Sequence, residues 1–334
     1  MKEIKTKLCD SLGIKVPIIQ APLGVAVTPE FVSTVSNYGA LGAMPLGTWE
    51  LDRCEKMIDA TLALTDKPVA ANLILDWDQS ARVDLCLRKG VKIIWFFWGD
   101  PSPFIEKIHA HGAQVIYTVS SADEAKRAVD MGVDIIVAQG WEAGGHILGK
   151  VATMALIPAV IDAVQGKIPV VTAGGVADGR GLAANLVLGA DGAVVGTRLL
   201  SSYEANIHKS YQAKLVTAKE TDTVYTQVFD KGWKNAPVRI LRNSTYDNWV
   251  AAGKPDSGHR PGENDVITYY GDIPITRYSL SIPAPTMTGD VEALAHYAGQ
   301  TVGLVNDVKP LTEILDEMIG DAIERIDRCQ RLVL

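Results

Sequence analysis

The sequence predicts an α/β protein, a (β/α)8 TIM barrel with a small inserted second domain. Three observations lead to this prediction. Short apolar runs recur along the first 200 residues at intervals of about 20 to 35 residues, the span of one βαβ step. The segments between the runs have the periodicity of amphipathic helices. This rhythm breaks after Leu200 and returns near the C-terminus, which indicates an insertion into the repeat.

Eight apolar runs are candidate strands, and most are continuously apolar, as expected of parallel strands buried on both faces. They are Val16–Gln20, Ala40–Met44, Pro68–Leu73, Lys92–Trp98, Gln114–Val119, Asp134–Gln139, Ile168–Ala173 and Gly192–Gly196. Ser121–Met131 illustrates the helical pattern, with Ser121 as N-cap and Glu124 as its capping-box partner. Eight such units in series favour a closed barrel. An open doubly wound sheet is the alternative, because periodicity alone does not establish closure.

The predicted insertion runs from His208 to Pro283. It is rich in Pro, Asn, Asp and Tyr, yet it carries 9 of the 22 aromatic residues, among them Trp233. A hydrophilic segment with so many rings is expected to be an ordered, partly helical cap rather than a linker. Residues 1–207 and 284–334 would then form the barrel, and residues 208–283 the cap over one of its ends. The final segment, Leu311–Leu332, is predicted to be a helix on the barrel wall.

Composition restricts the classes of function. The 334 residues have a formal net charge of −7 and no cluster of Lys and Arg, which argues against nucleic acid or an anionic membrane as partner. No apolar run approaches the roughly 18 residues of a membrane span, and the N-terminal segment has no apolar core of a secretory signal. The four scattered cysteines are typical of reduced thiols. A cytoplasmic protein is expected, and its oligomeric state stays open, a homodimer included.

Two glycine-containing turns follow the seventh and eighth candidate strands, where a (β/α)8 barrel commonly binds phosphate. Gly174 and Gly175 come just before a predicted helix, and Gly196 and Thr197 lie at a second strand-to-helix turn. Glycines let backbone N–H groups approach an anion, a helix N-terminus adds a favourable dipole, and the threonine offers a hydroxyl. The two turns together predict a phosphate cradle. The alternative is that these glycines serve only the tight turns.

The loop after the sixth candidate strand, AQGWEAGGHILGK, is the predicted catalytic loop. It contains Gln139, the pair Gly144 and Gly145, and His146 at the barrel mouth. A histidine titrates near neutral pH, so it can take a proton from a weakly acidic carbon. The two glycines would let it approach a bound ring. The alternative is a histidine with a purely structural role.

Six segments taken together resemble the nitronate monooxygenase family, formerly called 2-nitropropane dioxygenases. They occur in the family's order from residue 16 to about 310: QAPLG, TPEFVSTVSNYGALGA, AQGWEAGGH, TAGGVADGRG, GADGAVVGTR and YAGQTVGLVNDVKP. The resemblance implies an FMN-dependent barrel enzyme. Such an enzyme oxidises alkyl nitronates, the anions of nitroalkanes, with O₂ to a carbonyl compound and nitrite.

The resemblance also implies roles for individual residues. His146 matches the family's catalytic histidine, and Asn72 and Gln139 would hydrogen-bond the flavin ring. The other matched positions would line the ring or hold the FMN tail and phosphate: Ala21, Pro22, Leu23, Gly144, Gly145, Gly174, Gly175, Gly196 and Thr197. Leu23, Trp141 and the ILGK continuation depart from the family pattern. We expect these departures to alter the pocket wall, and so the substrate, rather than the cofactor.

Three other readings of the same residues stay open. NAD(P)H:quinone reductases and enoyl-acyl carrier protein reductases of the same superfamily share the fold and the FMN, and the sequence does not separate them from monooxygenases. A relative of inosine monophosphate dehydrogenase is disfavoured, because the loop that holds His146 contains no nucleophilic cysteine. A flavin- or phosphate-binding protein without catalytic activity is the third reading, and turnover of any substrate would exclude it.

Overall fold

The first nine strands of the chain build the barrel and its catalytic loop in the computed structural model, which describes residues 3–332. They are β1 (Ile18–Gln20), β2 (Gly42–Pro45), β3 (Val69–Ile74), β4 (Ile93–Phe97), β5 (Gln114–Val119), β6 (Ile135–Gln139), β7 (Gly145–His146), β8 (Val170–Ala173) and β9 (Gly192–Val195). All except β7 pair in parallel in the order β1-β9-β8-β6-β5-β4-β3-β2. Each of these eight overlaps one of the eight predicted runs.

The two ends of this order meet. A parallel bridge joins Ile19 of β1 to Leu41, the residue before β2, and the N–H of Gln20 donates to the carbonyl of Leu41 at 2.8 Å. The sheet therefore closes, the predicted (β/α)8 barrel is confirmed, and the open-sheet alternative is wrong.

Helices alternate with the barrel strands and cover the outside of the sheet. They are α1 (Lys7–Leu12), α2 (Pro29–Tyr38), α3 (Leu51–Leu64), α4 (Ser80–Arg88), α5 (Ser102–Ala110), α6 (Ala122–Met131), α7 (Thr153–Val164), α8 (Gly179–Val187) and α9 (Thr197–Leu200). Residues 209–217 and 244–251 form α10 and α11, and α12 (Leu311–Gln330) packs against α8 and α2. The predicted wall helix is thus present, and its last two predicted residues lie beyond its end. Among residues 3–332, no helix has both the length and the apolar composition to cross a bilayer.

The capping box predicted for α6 forms only in part. The Ser121 hydroxyl accepts from the N–H of Glu124 at 3.2 Å, as an N-cap does. The Glu124 carboxylate, however, accepts from the backbone N–H of Ser120, one residue earlier than a capping box requires. The end of β5 lies so close to α6 that Ser120 is the donor within reach.

Two apolar layers hold the barrel together. Along β6, Ile135 and Val137 face the barrel interior, whereas Ile136 and Ala138 pack against the surrounding helices. This alternation explains why the run is apolar throughout, since both faces of the strand are buried. Leu8 and Leu12 of α1 belong to the interior layer, so α1 closes the N-terminal end of the barrel. The opposite end, where the strands finish, is left for a site.

Residues 208–283, the predicted insertion, are ordered and contain both helices and strands. Beside α10 and α11 they include β10 (Thr223–Thr226), β11 (Val238–Leu241), β12 (Val266–Tyr270) and β13 (Ile273–Thr276). The last two strands form an antiparallel hairpin, and β10, β11 and β7 form a second antiparallel sheet. The predicted catalytic loop therefore contributes a strand to a sheet of the insertion, a connection that the sequence did not reveal. That residues 208–283 are a separate domain stays a prediction.

Candidate active site

A cavity of about 690 Å³ opens where the barrel strands end, between the barrel and residues of the insertion. Its volume is typical of sites for cofactors and small molecules, which hold roughly 300 to 1,000 Å³. All twelve residues predicted for the site line it: Ala21, Pro22, Leu23, Asn72, Gln139, Gly144, Gly145, His146, Gly174, Gly175, Gly196 and Thr197. The fold thus brings these distant parts of the sequence together around one space.

The turn after β8 needs its glycines. Gly174 and Gly175 have φ values of +89° and +80°, a region that side-chain-bearing residues rarely adopt. A Cβ atom on Gly174 would also lie 2.8 Å from the backbone nitrogen of Ala143. Gly174 therefore lets the turn pack closely on Ala143, and both glycines line the cavity.

The helices beside these turns differ from the sequence expectation. α8 begins at Gly179, several residues after the glycine pair, and the Asp178 carboxylate already accepts from the N–H of Gly181 in its first turn. The helix after β9 has only four residues, and the Thr197 hydroxyl accepts from the N–H of Gly299 at 2.9 Å. Asp178 thus occupies one N–H at the start of α8, and α9 is a single short turn, so the phosphate cradle at these two turns stays a prediction.

Gly144 and Gly145 in the catalytic loop serve different needs. A Cβ atom on Gly144 would lie 2.4 Å from the backbone nitrogen of Gly299, so only glycine at this position leaves room for the segment that contains Gly299. Gly145 has a φ of +72° and open space beside it, so its backbone conformation is the constraint. Together they allow the chain to turn from β6 into β7, which pairs residue by residue with β11.

The two predicted carboxamides occupy different positions. The Asn72 nitrogen donates to the carbonyl of Trp95 at 3.2 Å, and the side chain borders the cavity from β3. The Gln139 nitrogen donates to the His146 carbonyl, and its oxygen accepts from the N–H of Leu148, each at 3.0 Å. In this structure Gln139 thus holds the catalytic loop in place, whereas its hydrogen bond to a flavin ring stays a prediction.

His146 borders the cavity with a ring nitrogen that has no partner. Among the described residues, nothing hydrogen-bonds its buried Nε2. Burial lowers the pKa of His146 from its usual 6.5 to about 3, because desolvation disfavours the imidazolium form. The ring is therefore neutral throughout the physiological range. Where a buried polar atom beside a cavity has no partner in the protein, a bound ligand is expected to supply one.

Trp233 of the insertion is a site residue that sequence reasoning missed. It lines the cavity, and its ring centroid lies 4.2 Å from that of His146. Trp77 and Trp98, in the loops after β3 and β4, each lie 4.9 Å from Trp233. The high aromatic content of the insertion was a signal that the segment packs on something, but the sequence could not show which ring reaches the histidine.

Trp141 lies away from the cavity, so the prediction that it alters the pocket wall is wrong. Its ring lies 4.3 Å from that of Tyr225, the guanidinium of Arg239 lies 5.0 Å from its centroid, and it is absent from the cavity lining. Arg239 also donates to the Trp141 carbonyl at 2.8 Å. The residue secures the catalytic loop against β10 and β11. Leu23, by contrast, does line the cavity.

The residues of the cavity fit a flavin mononucleotide on three observations. The volume is large enough for a drug-sized ligand with a small substrate beside it. Gly174 and Gly175 line the cavity with a turn that has no side chains, and its positive φ values suit glycine. The Nε2 of His146 is buried and unpartnered beside an aromatic wall, where a planar ring can stack.

Comparison with known proteins agrees with this site. The family model for nitronate monooxygenase matches residues 5–81 and 77–321. A carboxyl-CoA dehydrogenase from Rhodococcus jostii, (3aS,4S,5R,7aS)-5-hydroxy-7a-methyl-1-oxo-octahydro-1H-indene-4-carboxyl-CoA dehydrogenase, is 31% identical over 98% of both chains. A probable nitronate monooxygenase from Staphylococcus saprophyticus is 35% identical over 72% of this chain and 79% of its own length.

Among solved structures, FabK from Thermotoga maritima is similar, with a TM-score of 0.81 and 30% identity over 99% of this chain and 100% of that one. The similarity to FabK and to the Rhodococcus dehydrogenase includes the insertion, because the matches span nearly all of each chain. The family model covers the glycine turns after β8 and β9, the loop that holds His146 and the segment that contains Gly299. The chain therefore belongs to the nitronate monooxygenase family and is an oxidoreductase.

Proposed function

We propose that the protein is an FMN-dependent oxidoreductase that oxidises alkyl nitronates with O₂ to a carbonyl compound and nitrite. We place this activity in the cytoplasm as part of the same proposal. The observation that carries this proposal is that His146, which is neutral and has a buried Nε2 without a partner, lines the cavity that the glycine turns border. When bound there, FMN would supply the redox chemistry by taking electrons from the substrate and passing them to O₂.

Residues of this chain would hold the cofactor in two groups. The bare backbone at Gly174 and Gly175, together with Gly196 and Thr197, would hold the phosphate end. Ala21, Pro22 and Leu23 would line one side of the ring, and Asn72 would hydrogen-bond it from β3. Gln139 would act on the ring mainly by fixing the loop that carries Gly144, Gly145 and His146, because its amide is already bonded to that loop.

The neutral state of His146 decides which of its two expected roles is favoured. A neutral imidazole can accept a proton from the α-carbon of a nitroalkane at its unprotonated ring nitrogen. A charged imidazolium, needed to hold an anionic nitro group as an ion pair, is disfavoured by the same burial that lowers its pKa to about 3. We propose that His146 removes the proton from neutral nitroalkanes, a step that needs an unprotonated ring; the burial that lowers its pKa also makes it a weaker base than a histidine in water. A nitronate supplied as the anion needs no such step.

Anaerobic titration of the purified protein, followed by its absorbance spectrum, tests the proposal. A bound flavin gives a yellow protein, and we expect a nitronate to bleach it and O₂ to restore the colour. A colourless protein that does not take up added FMN would contradict the cofactor. A yellow protein that no alkyl nitronate bleaches would contradict the substrate.

A second candidate is an FMN-dependent reductase or dehydrogenase that exchanges electrons with NAD(P)H or acts on an acyl thioester. The coverage of the relatives favours it. The Rhodococcus carboxyl-CoA dehydrogenase matches 98% of the chain, whereas the probable nitronate monooxygenase matches 72%. The same anaerobic experiment separates the two candidates, because rapid bleaching by NADH supports the reductase, and an unchanged spectrum with NADH supports the monooxygenase.

A further inference from the structure

The indole of Trp233 covers one face of the His146 imidazole. The two ring centroids lie 4.2 Å apart and the ring planes differ by 30°, so the rings are close to stacked. Trp233 is only 4% exposed. Water therefore has no room on that face of the imidazole, and the ring cannot tilt toward it without displacing a buried tryptophan.

The barrel holds this indole in place. The Trp233 Nε1 donates to the Asp76 carboxylate at 2.7 Å, a charge-assisted bond from the loop after β3. Trp77 and Trp98 pack on the indole from the same side of the barrel mouth. The insertion thus supplies the ring, and the barrel loops fix its orientation.

We propose that Trp233 is a positioning residue for His146, which keeps the imidazole dry and fixes its plane toward the cavity, and that Asp76 acts through Trp233 by holding the indole. The inference deepens the proposed function, because it concerns the same histidine. It also gives the insertion a part in the chemistry, since the ring that covers this face of His146 comes from the insertion.

The other groups around His146 do not account for its neutral state. Tyr297 lies 5.9 Å from it between ring centroids, but its hydroxyl donates to the Leu280 carbonyl and burial raises its pKa, so it stays uncharged. The Asp76 carboxylate lies behind the indole, and its charge would favour imidazolium rather than oppose it. The Lys231 ammonium group, which belongs to a residue of the same cavity lining, donates hydrogen bonds to the Glu263 carbonyl and to the Thr276 hydroxyl. Desolvation is the cause that remains. The Trp233 ring, 4.2 Å from the imidazole between centroids, is one of the groups that bury it.

Protonation of His146, measured directly, tests the inference. Long-range ¹H–¹⁵N spectra of the full-length protein with ¹⁵N-labelled histidine report the charge of each of its six histidines, and His146→Gln identifies the signal. In the native protein we expect His146 to stay neutral between about pH 5 and about pH 8. In Trp233→Ala and Trp233→Leu, water reaches the ring, so we expect its pKa to rise by about two units or more and its titration to become visible.

Three further variants sharpen the result. Trp233→Phe keeps a ring over the imidazole, so His146 should stay neutral. Asp76→Ala leaves the indole present but unheld, and a smaller rise in the pKa is expected. Trp249→Ala removes a tryptophan of the same insertion that contacts Tyr246 instead, so it should leave His146 as in the native protein.

The inference is overturned if His146 stays neutral in both Trp233→Ala and Trp233→Leu, or if Trp249→Ala raises its pKa as much as they do. If the pKa of His146 in Asp76→Ala equals that in the native protein, the role assigned to Asp76 is overturned. These spectra require no turnover. A raised pKa in a protein that oxidises no nitronate would therefore support Trp233 and contradict only the proposed substrate.

Discussion

His146 owes its chemistry to where the fold puts it. A histidine in water is half protonated near pH 6.5, but burial beside the cavity lowers the pKa of this one to about 3. Its Nε2 is thereby kept free as an acceptor at every pH at which the protein is expected to work. The cost is a buried polar atom without a partner among the described residues, an arrangement that a functional site can retain where a structural histidine would gain a partner.

Replacement of His146 by Ala tests its proposed role in proton removal. We expect the variant to keep FMN, because the ring contacts come from other residues, and to lose about 100- to 10,000-fold in kcat/KM with a neutral nitroalkane, the usual contribution of a general base. With a preformed nitronate the loss should be much smaller. Steady-state oxygen uptake measures both. Unchanged turnover of the nitroalkane would show that the role is wrong.

Gly174→Ala tests the bare turn. The new Cβ would meet the backbone of Ala143 at 2.8 Å in a residue with a φ of +89°. We expect the free energy of unfolding to fall by about 2 kcal/mol or more and FMN affinity to fall by at least about tenfold. Gly253→Ala is the matched control, since its φ is +83° but nothing lies within 4 Å. It should lose only the strain, about 1 kcal/mol, and no FMN affinity; urea unfolding and flavin fluorescence titration measure these quantities.

At the scale of elements, the pairing of β7 with β11 connects the catalytic loop to the insertion. Val238 pairs with His146, and the N–H of Ile147 donates to the carbonyl of Pro237 at 3.1 Å. Arg239, opposite Gly145, adds its bond to the Trp141 carbonyl. A two-residue strand is too short to be stable alone, so the insertion, together with Gln139 of the barrel, holds the loop in this conformation.

Arg239→Met tests this connection, because methionine keeps much of the buried volume but cannot donate to Trp141. The free energy of unfolding should change little. The substitution removes one hydrogen bond, but it also removes a buried cation whose Nε has no partner, and these two effects oppose each other. Local opening should become easier, and the amide of Ile147 should exchange its hydrogen about tenfold faster. Arg242→Met, which removes an exposed ion pair with Asp247, is the control. Equal protection of Ile147 in both variants would contradict the connection.

Most elements of the barrel could be predicted from the sequence because each is determined locally. The run at 134–139 is apolar on both faces, and the structure contains β6 there, shorter by one residue. The short strand β7 could not be predicted, since two residues carry no periodicity and its partner, β11, lies some ninety residues away in the chain. For the same reason the link between Trp233 and His146 was invisible in the sequence.

At the scale of the whole molecule, two neutral histidines, the buried His296 and the partly buried His146, make stability depend on pH. Burial lowers the pKa of His296 to about 4 and that of His146 to about 3. Unfolded histidines titrate near 6.5, so below that pH the unfolded chain binds protons that the folded chain does not. Stability is therefore full above about pH 6.5 and falls as the pH falls toward the folded pKa values.

Urea unfolding at about pH 7.5 and about pH 5 measures this dependence. Each histidine should account for a loss of about 2 kcal/mol at the lower pH. His146→Gln, with no titratable ring, should reduce the loss by that amount relative to the native protein. A pH dependence identical in the variant and the native protein would show that His146 is not buried as described.

Sequence alone indicated the strand–helix repeat and the place where it is interrupted, because apolar periodicity and glycine turns are local patterns. Together with the family resemblance it named twelve of the residues that line the site, but not Trp233. Closure of the barrel, the capped start of α8, the engagement of Gln139 with its own loop and the stack of Trp233 on His146 were decided only by the tertiary structure. Each of these depends on a contact between residues far apart in the chain, and such a contact exists only once the burial of both faces of the sheet has fixed where the strands end.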